Sequence, residues 1–168
     1  MNIIKACLRC NNGGSSDDEN LKILLGLVTG DGGRNANQII DHLASTLEKN
    51  KILQTTIFEG RLTNTPTGRQ IAIEFDQASY CRSVTRITKG LYFSESGKAL
   101  GLAAWVSVFE PSNSYIAVDN ALRSMPRKSL NGGTFTYAHQ IFEDGGSVWQ
   151  FNFFNRHEVL AWTGPPVP

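Results

Sequence analysis

Cysteine is scarce in this sequence: Cys7, Cys10 and Cys81 are all there is. Three is an odd number and too few for a disulfide framework, which points to a reducing compartment. An excess of either charge is also missing. Sixteen Lys and Arg stand against fifteen Asp and Glu, a net charge of +1, so no global field draws the chain to nucleic acid or an anionic membrane, and any such contact has to be local. Long apolar runs are absent too. The longest, ALGLAAWVSVF at 99–109, falls short of the roughly 18 residues of a spanning helix, and the opening MNIIKACLRC is too short and too polar for a signal peptide. There is no internal repeat, low-complexity tract or obvious linker. A soluble, cytoplasmic protein without membrane contact is expected, and 168 residues suit one domain with its own core.

Helical signals dominate the first two thirds. Ser16 and Glu19 have the spacing of a capping box, with Asp17 and Asp18 suited to a first turn, so a helix is predicted from about 17 to 28 with Leu21, Leu24, Leu25 and Val28 on its buried face. The glycines of TGDGG at 29–33 stop it, and a second helix near Asn35 carries Ile39, Ile40, Leu43 and Leu47. Two extended pieces surround a turn at Thr65–Gly68, QIAIEF forming the second. Asp76 caps a further helix whose stripe is Tyr80, Val84, Ile87 and Leu91. ALGLAAWVSVF reads as a strand or as a buried helix, which periodicity does not separate, and a short helix precedes Pro126.

The last third is different in kind. TFTYAHQIF, SVWQFNFF and EVLAWTG, joined by EDGG and NRH, describe a three-stranded or larger antiparallel meander. The expectation is a single α+β domain over 1–168: a knuckle and first helix (1–33), a mainly helical middle with one or two strands (34–130), and the meander (131–164).

Cys7 and Cys10 form a Cys-x-x-Cys turn, half of a tetrahedral zinc site. Cys81, His42, His139 and His157 are the remaining soft ligands and include no second closely spaced pair. The thiols therefore read either as a metal half-site or as reduced cysteines on a turn. Their surroundings add a resemblance: Cys7, Cys10, Asn11, Asn12, Gly13, Ser16, Asp17, Asp18, Glu19 and Leu21 are similar to the second half of the finger region in HNH-endonuclease-like proteins, with a weaker echo at Gly90–Phe93. The resemblance implies that Cys7 and Cys10 are one pair of structural zinc ligands and that Asn11 or Asn12 stands where the family binds a catalytic metal. Only six residues precede Cys7, and nothing matches the family's first cysteine pair or its Glu-His pair. The nuclease chemistry is then expected to be missing unless a second chain completes it, and no cofactor is expected for a monomer, zinc entering only at a shared site.

Other residues offer contact surfaces. Arg82, Arg86 and Lys89 fall at steps of four and three, a positive stripe for phosphates or an acidic partner, with a solvated face as the plainer reading. Alternation puts Trp149, Phe151 and Phe153 in the core and leaves Phe154 and Trp162 as a binding platform. TGDGG lacks the Lys-Ser or Lys-Thr of a phosphate loop and reads as a connector. His139 and His157 read as hydrogen-bonded strand histidines, and Cys81 as a small buried residue. Three functions are expected to compete: an HNH-derived module, inactive alone, that binds nucleic acid or protein; a phage or mobile-element protein that inhibits a host nucleic-acid-targeting defence complex; and a zinc nuclease completed by a second chain, a homodimer pooling four thiolates among its arrangements.

Overall fold

In a computed structural model the structure describes residues 8–29, 62–65, 68–71, 76–101, 104–109 and 116–164, with helical positions at 41, 44–45, 48–49 and 51. Helix α1 spans Leu8–Thr29 and is followed by a hairpin of β1 (Leu62–Thr65) and β2 (Gly68–Ile71). Helix α2 (Gln77–Ser96), β3 (Val106–Phe109), helix α3 (Ile116–Arg123), β4 (Lys128–Leu130), β5 (Phe135–Ile141), β6 (Ser147–Phe153) and β7 (His157–Thr163) complete the order. The last five strands form one antiparallel sheet ordered β3-β7-β6-β5-β4. This is the expected α+β architecture, with helices first and an antiparallel meander last. No helix of the described residues is long and apolar enough to cross a membrane.

Helix α2 begins and ends as its sequence specifies. The Asp76 carboxylate accepts from the backbone N–H of Ser79 at 3.0 Å, satisfying one amide that the first turn would leave open. Gly97 ends the helix in the left-handed conformation, φ 69°, and its N–H bonds the carbonyl of Phe93, a role that suits a residue without Cβ. The buried face, Tyr80, Val84, Thr88 and Tyr92, follows the 3.6-residue period. It packs on the sheet face carrying Tyr137, Trp149, Phe151, Phe153, Val159 and Ala161, and Leu21 and Leu25 of α1 join the same cluster. The expected core aromatics are therefore where strand alternation puts them.

The structure corrects one expectation and settles two that were open. The first helix starts at Leu8, nine residues before the predicted start, so Cys10, Asn11 and Asn12 lie within a helix and not on a turn. Ser16 and Glu19 are in its interior and cap nothing at its start. The reason is tertiary: Asp17 is needed against α2, as described below, and Gly14 is packed under the Arg86 guanidinium. Second, the end of the ambiguous ALGLAAWVSVF, Val106–Phe109, resolves as strand β3, because pairing with β7 satisfies its backbone. Third, the meander gains strands on both sides, β3 beside β7 and β4 beside β5, so the sheet recruits residues expected to belong to the helical middle. The stripe of the second helix, Ile39, Ile40, Leu43 and Leu47, and residues 72–75 of QIAIEF lie outside the described residues.

Central strand β6 is buried on both faces, Phe151 with no exposure at all and ringed by Phe135, Trp149 and the α2 cluster. Phe151→Ala is expected to cost about 3–5 kcal/mol, read as a lower midpoint in urea with unchanged slope. A loss below about 1 kcal/mol would mean that the cluster does not hold the helices to the sheet.

Candidate functional site

Strand alternation gives the sheet a second face, opposite α1 and α2. It carries Ala138, Gln140, Val148, Gln150, Leu160 and Trp162, and α3 crosses it. Leu122 of α3 is almost fully buried against Val148 and Leu160, with Phe109 and Met125 alongside. Beside this contact a groove of about 310 Å³ opens, lined by Ala121, Leu122, Met125, Gln140, Phe142, Val148 and Trp162. Its one polar side chain is already engaged, the Gln140 amide donating to the carbonyl of Ile141 at 3.1 Å. Phe142 and Trp162 stay 41% and 37% exposed, an unusual cost in apolar surface facing water at one place.

Backbone geometry holds the groove in shape. Phe142 enters the β5–β6 turn, where its N–H bonds the carbonyl of Gly146 at 2.8 Å and the N–H of Gly145 bonds the carbonyl of Phe142 at 3.0 Å. Asp144 accepts from the N–H of Gly146 at 2.8 Å, and Gly145 takes φ 85°, which glycine adopts at little cost. From the other side of the sheet, Tyr92 of α2 donates to the Gly145 carbonyl at 3.1 Å. Around α3, Arg123 is paired with Glu158, which also accepts from Asn152 at 3.2 Å, and Arg127 donates to the amide oxygen of the buried Gln150. What the groove offers is an apolar recess with no catalytic group among the described residues of its wall.

The expected positive stripe has a different employment. Asp17, buried at the α1–α2 contact, accepts from Arg82 Nη2 at 2.7 Å, Arg86 Nη1 at 2.8 Å and Ser79 Oγ at 2.8 Å. Arg86 also reaches Asp18 at 2.8 Å and the Gly14 carbonyl at 3.3 Å. The hydrogen bonds from Arg82 and then Arg86 outweigh the burial of Asp17 and hold its carboxyl far below the usual carboxylate range. Both guanidiniums are thus matched by acids of the same chain; Lys89 sits one turn further on, half-buried. Of the expected platform, Trp162 borders the groove, whereas Phe154 lies in the β6–β7 turn with φ 56° and packs toward the α2-side core. The structure does not bring the two together.

Asn11, Asn12 and Cys10 occupy the start of α1; Cys7 lies outside the described residues. Among the described residues no three of His, Cys, Asp and Glu are grouped as a metal site. Cys81 is half-buried, and burial pushes its thiol up. The remaining titratable cluster is under β5. Glu95 pairs with Lys128, accepts from Tyr137 at 2.6 Å and lies 3.7 Å from His139. His139 stacks on Trp149 at 4.7 Å. Burial raises the Glu95 carboxyl, but Lys128 and Tyr137 overcome that and leave it below its ordinary value. Burial, aided by Lys128, lowers His139 against the pull of Glu95. His157 meets the Tyr80 hydroxyl at 2.8 Å. Both histidines are the hydrogen-bonded or stacked strand residues that their positions suggest. Sequence reading found only Trp162 of the groove; the alternate positions of β5 and β6 were the available signal, but nothing local says that α3 leaves part of that face open.

Two separate pH windows follow. Asp17 has a depressed folded pKa, so its contribution is present above the unfolded carboxylate value of about 3.9 and is lost as pH falls below it. Burial lowers the folded pKa of His139, so the fold loses stability as pH falls below the unfolded histidine value of about 6.5. Asp17→Asn is expected to lower the unfolding midpoint at pH 7 and to flatten the dependence below pH ~4, while His139→Gln flattens only the upper limb, both read by urea titrations across pH. An unchanged acid limb in Asp17→Asn would remove the clamp from this account. Compared with protein-family models, curated proteins and solved structures, the chain matches none, so the meaning of the groove rests on its geometry.

Proposed function

We propose that this protein is a non-catalytic protein-binding module whose docking site is the groove between α3 and the outer face of the sheet. The observation that carries the reading is the groove's composition: apolar side chains and one internally bonded amide, with two exposed aromatics at its border. A volume of about 310 Å³ is at the small end for a small-molecule site and suits one or two large apolar side chains of a partner, inserted as anchors. Nucleic acid is the weaker partner. The net charge is +1, and Arg82 and Arg86 have their charge taken up by Asp17 and Asp18, whereas phosphate binding depends on cations that are available to replace counterions. A module of this kind works by occupying a partner's surface, which is how an inhibitor of a nucleic-acid-targeting complex works as well as an adaptor. The HNH resemblance would then record ancestry and no activity.

Ala121→Trp fills the groove from the exposed side of α3. In quantitative mass spectrometry of proteins retained from cells, the partner is expected to bind the wild-type chain and to fall at least tenfold on the filled variant, a change of about 1.4 kcal/mol, with circular dichroism unchanged. Equal recovery on both would rule the groove out. Fluorescence anisotropy with short single- and double-stranded DNA at low salt should give no specific binding; tight, salt-sensitive binding would favour the nucleic-acid module instead. Elemental mass spectrometry on tag-free protein addresses the shared-zinc nuclease: one zinc per two chains would replace the present reading, and no stoichiometric zinc is expected.

A further inference from the structure

At the β4 side of the sheet, the last turn of α2 meets β4 and β5 around one carboxylate. Glu95 Oε1 accepts from the Tyr137 hydroxyl at 2.6 Å. Glu95 Oε2 accepts from the Lys128 ammonium, and His139 Nε2 lies 3.7 Å from the same oxygen, within reach of an ion pair but too far for a hydrogen bond. A lysine and a histidine thus converge on one oxygen, and they are held unequally. The His139 ring is stacked on Trp149, with 4.7 Å between centroids and 13° between planes. That indole is itself fixed, fully buried and donating to Ser147 Oγ at 2.7 Å. The Lys128 side chain is 55% exposed on a flexible stem, and Lys128 opens β4, a three-residue strand exposed along its whole length.

We propose that His139 and Lys128 compete for Glu95, so that one proton taken up from solvent by His139 transfers the carboxylate from the lysine to the histidine and unlatches β4 from α2. An imidazolium carries a proton on each ring nitrogen. Whichever nitrogen is protonated, Nε2–H then faces Oε2, and a small ring movement over the indole closes the gap to a charge-assisted hydrogen bond. One carboxylate would otherwise stand against two cations in a partly buried site, a surplus charge that is costly to keep out of water. Lys128 is the cation that leaves, because its stem reaches solvent while the stacked imidazole does not. Among the described residues, the charged and titratable groups facing His139 are Glu95 from α2, Lys128 from β4 and Tyr137 from its own strand, and β6 presents the uncharged Trp149. Tyr137 keeps its proton, since burial and then Glu95 push its hydroxyl well above the ordinary value. Glu95 stays ionised, held below its ordinary value against burial by Lys128 and Tyr137. Burial sets His139 on the acid side of about 6.5, so the exchange belongs to mildly acidic conditions.

Nuclear magnetic resonance on the full chain, titrated from about pH 8 to about pH 5, reads the exchange directly. The ring signals of His139 should titrate in this window. The nuclear Overhauser contact between the Lys128 ε-methylene and the Glu95 γ-methylene should be present at the upper end and fade with the same midpoint, while the contacts of Trp149 and Phe151 in the core remain. In His139→Gln, which stacks without taking a proton, the lysine contact is expected to persist to the lower end. Should that variant fail to fold, Lys128→Met decides: the His139 midpoint should rise, its proton affinity growing by about threefold or more. The amide signals of Ser129 and Leu130, which follow His139 in the wild-type chain, should then become indifferent to it. A lysine contact that survives the titration of His139, or that fades equally in His139→Gln, overturns the proposal. So do Ser129 and Leu130 signals that follow His139 unchanged in Lys128→Met, or unfolding of the whole chain before His139 titrates.

Discussion

Everything in this fold hangs on a strand that is buried from both sides. Five consecutive residues of β6, Ser147 to Gln150 and Phe151, have almost no contact with solvent, because α1 and α2 cover one face and α3 the other. Such a strand has to satisfy its polar groups from within. Ser147 does so with Thr163 and with the Trp149 indole N–H, each at 2.7 Å, and Gln150 with Arg127. With β6 fixed, its neighbours β5 and β7 are fixed in register through ladders along their full length. The α2-side core and the groove on the opposite face then follow as the two sides of one strand trio.

The second constraint is electrostatic. Asp17 is buried in a helix contact, and a carboxylate there is tolerated only when its lone pairs are filled. Two guanidiniums and a serine hydroxyl fill them, and Asn20 extends the network to Ser79 at 3.0 Å. The same contact that docks α1 on α2 pairs the most obvious positive feature of the sequence, Arg82 and Arg86, with Asp17 and Asp18. The arginines serve the fold, and the open apolar recess lies on the other side of the sheet.

Much of the fold was legible because it follows from short-range rules. The Asp76 cap, the buried stripe of α2, the Asp-Gly turn and the alternating aromatics of β6 each act over a few residues. The start of α1 was not legible, because a good local capping box was overruled by a contact between Asp17 and residues more than sixty positions away. β3 and β4 were missed or ambiguous for a related reason. Three or four residues at a sheet edge carry too little pattern of their own and are defined by the strand they pair with.

The candidate site divides in the same way. The sequence by itself determined the chemistry on offer: near-zero net charge, three cysteines, an aromatic meander with Trp162 pointing away from Trp149, Phe151 and Phe153, and a short helix before Pro126. Only the tertiary structure decided that α3 leaves Trp162 and Phe142 beside an open recess, that Arg82 and Arg86 turn inward to Asp17, and that β3 is left at the edge. Those outcomes depend on contacts between residues far apart in the chain. Local propensity specifies which face of an element is apolar, but not what covers that face or how completely.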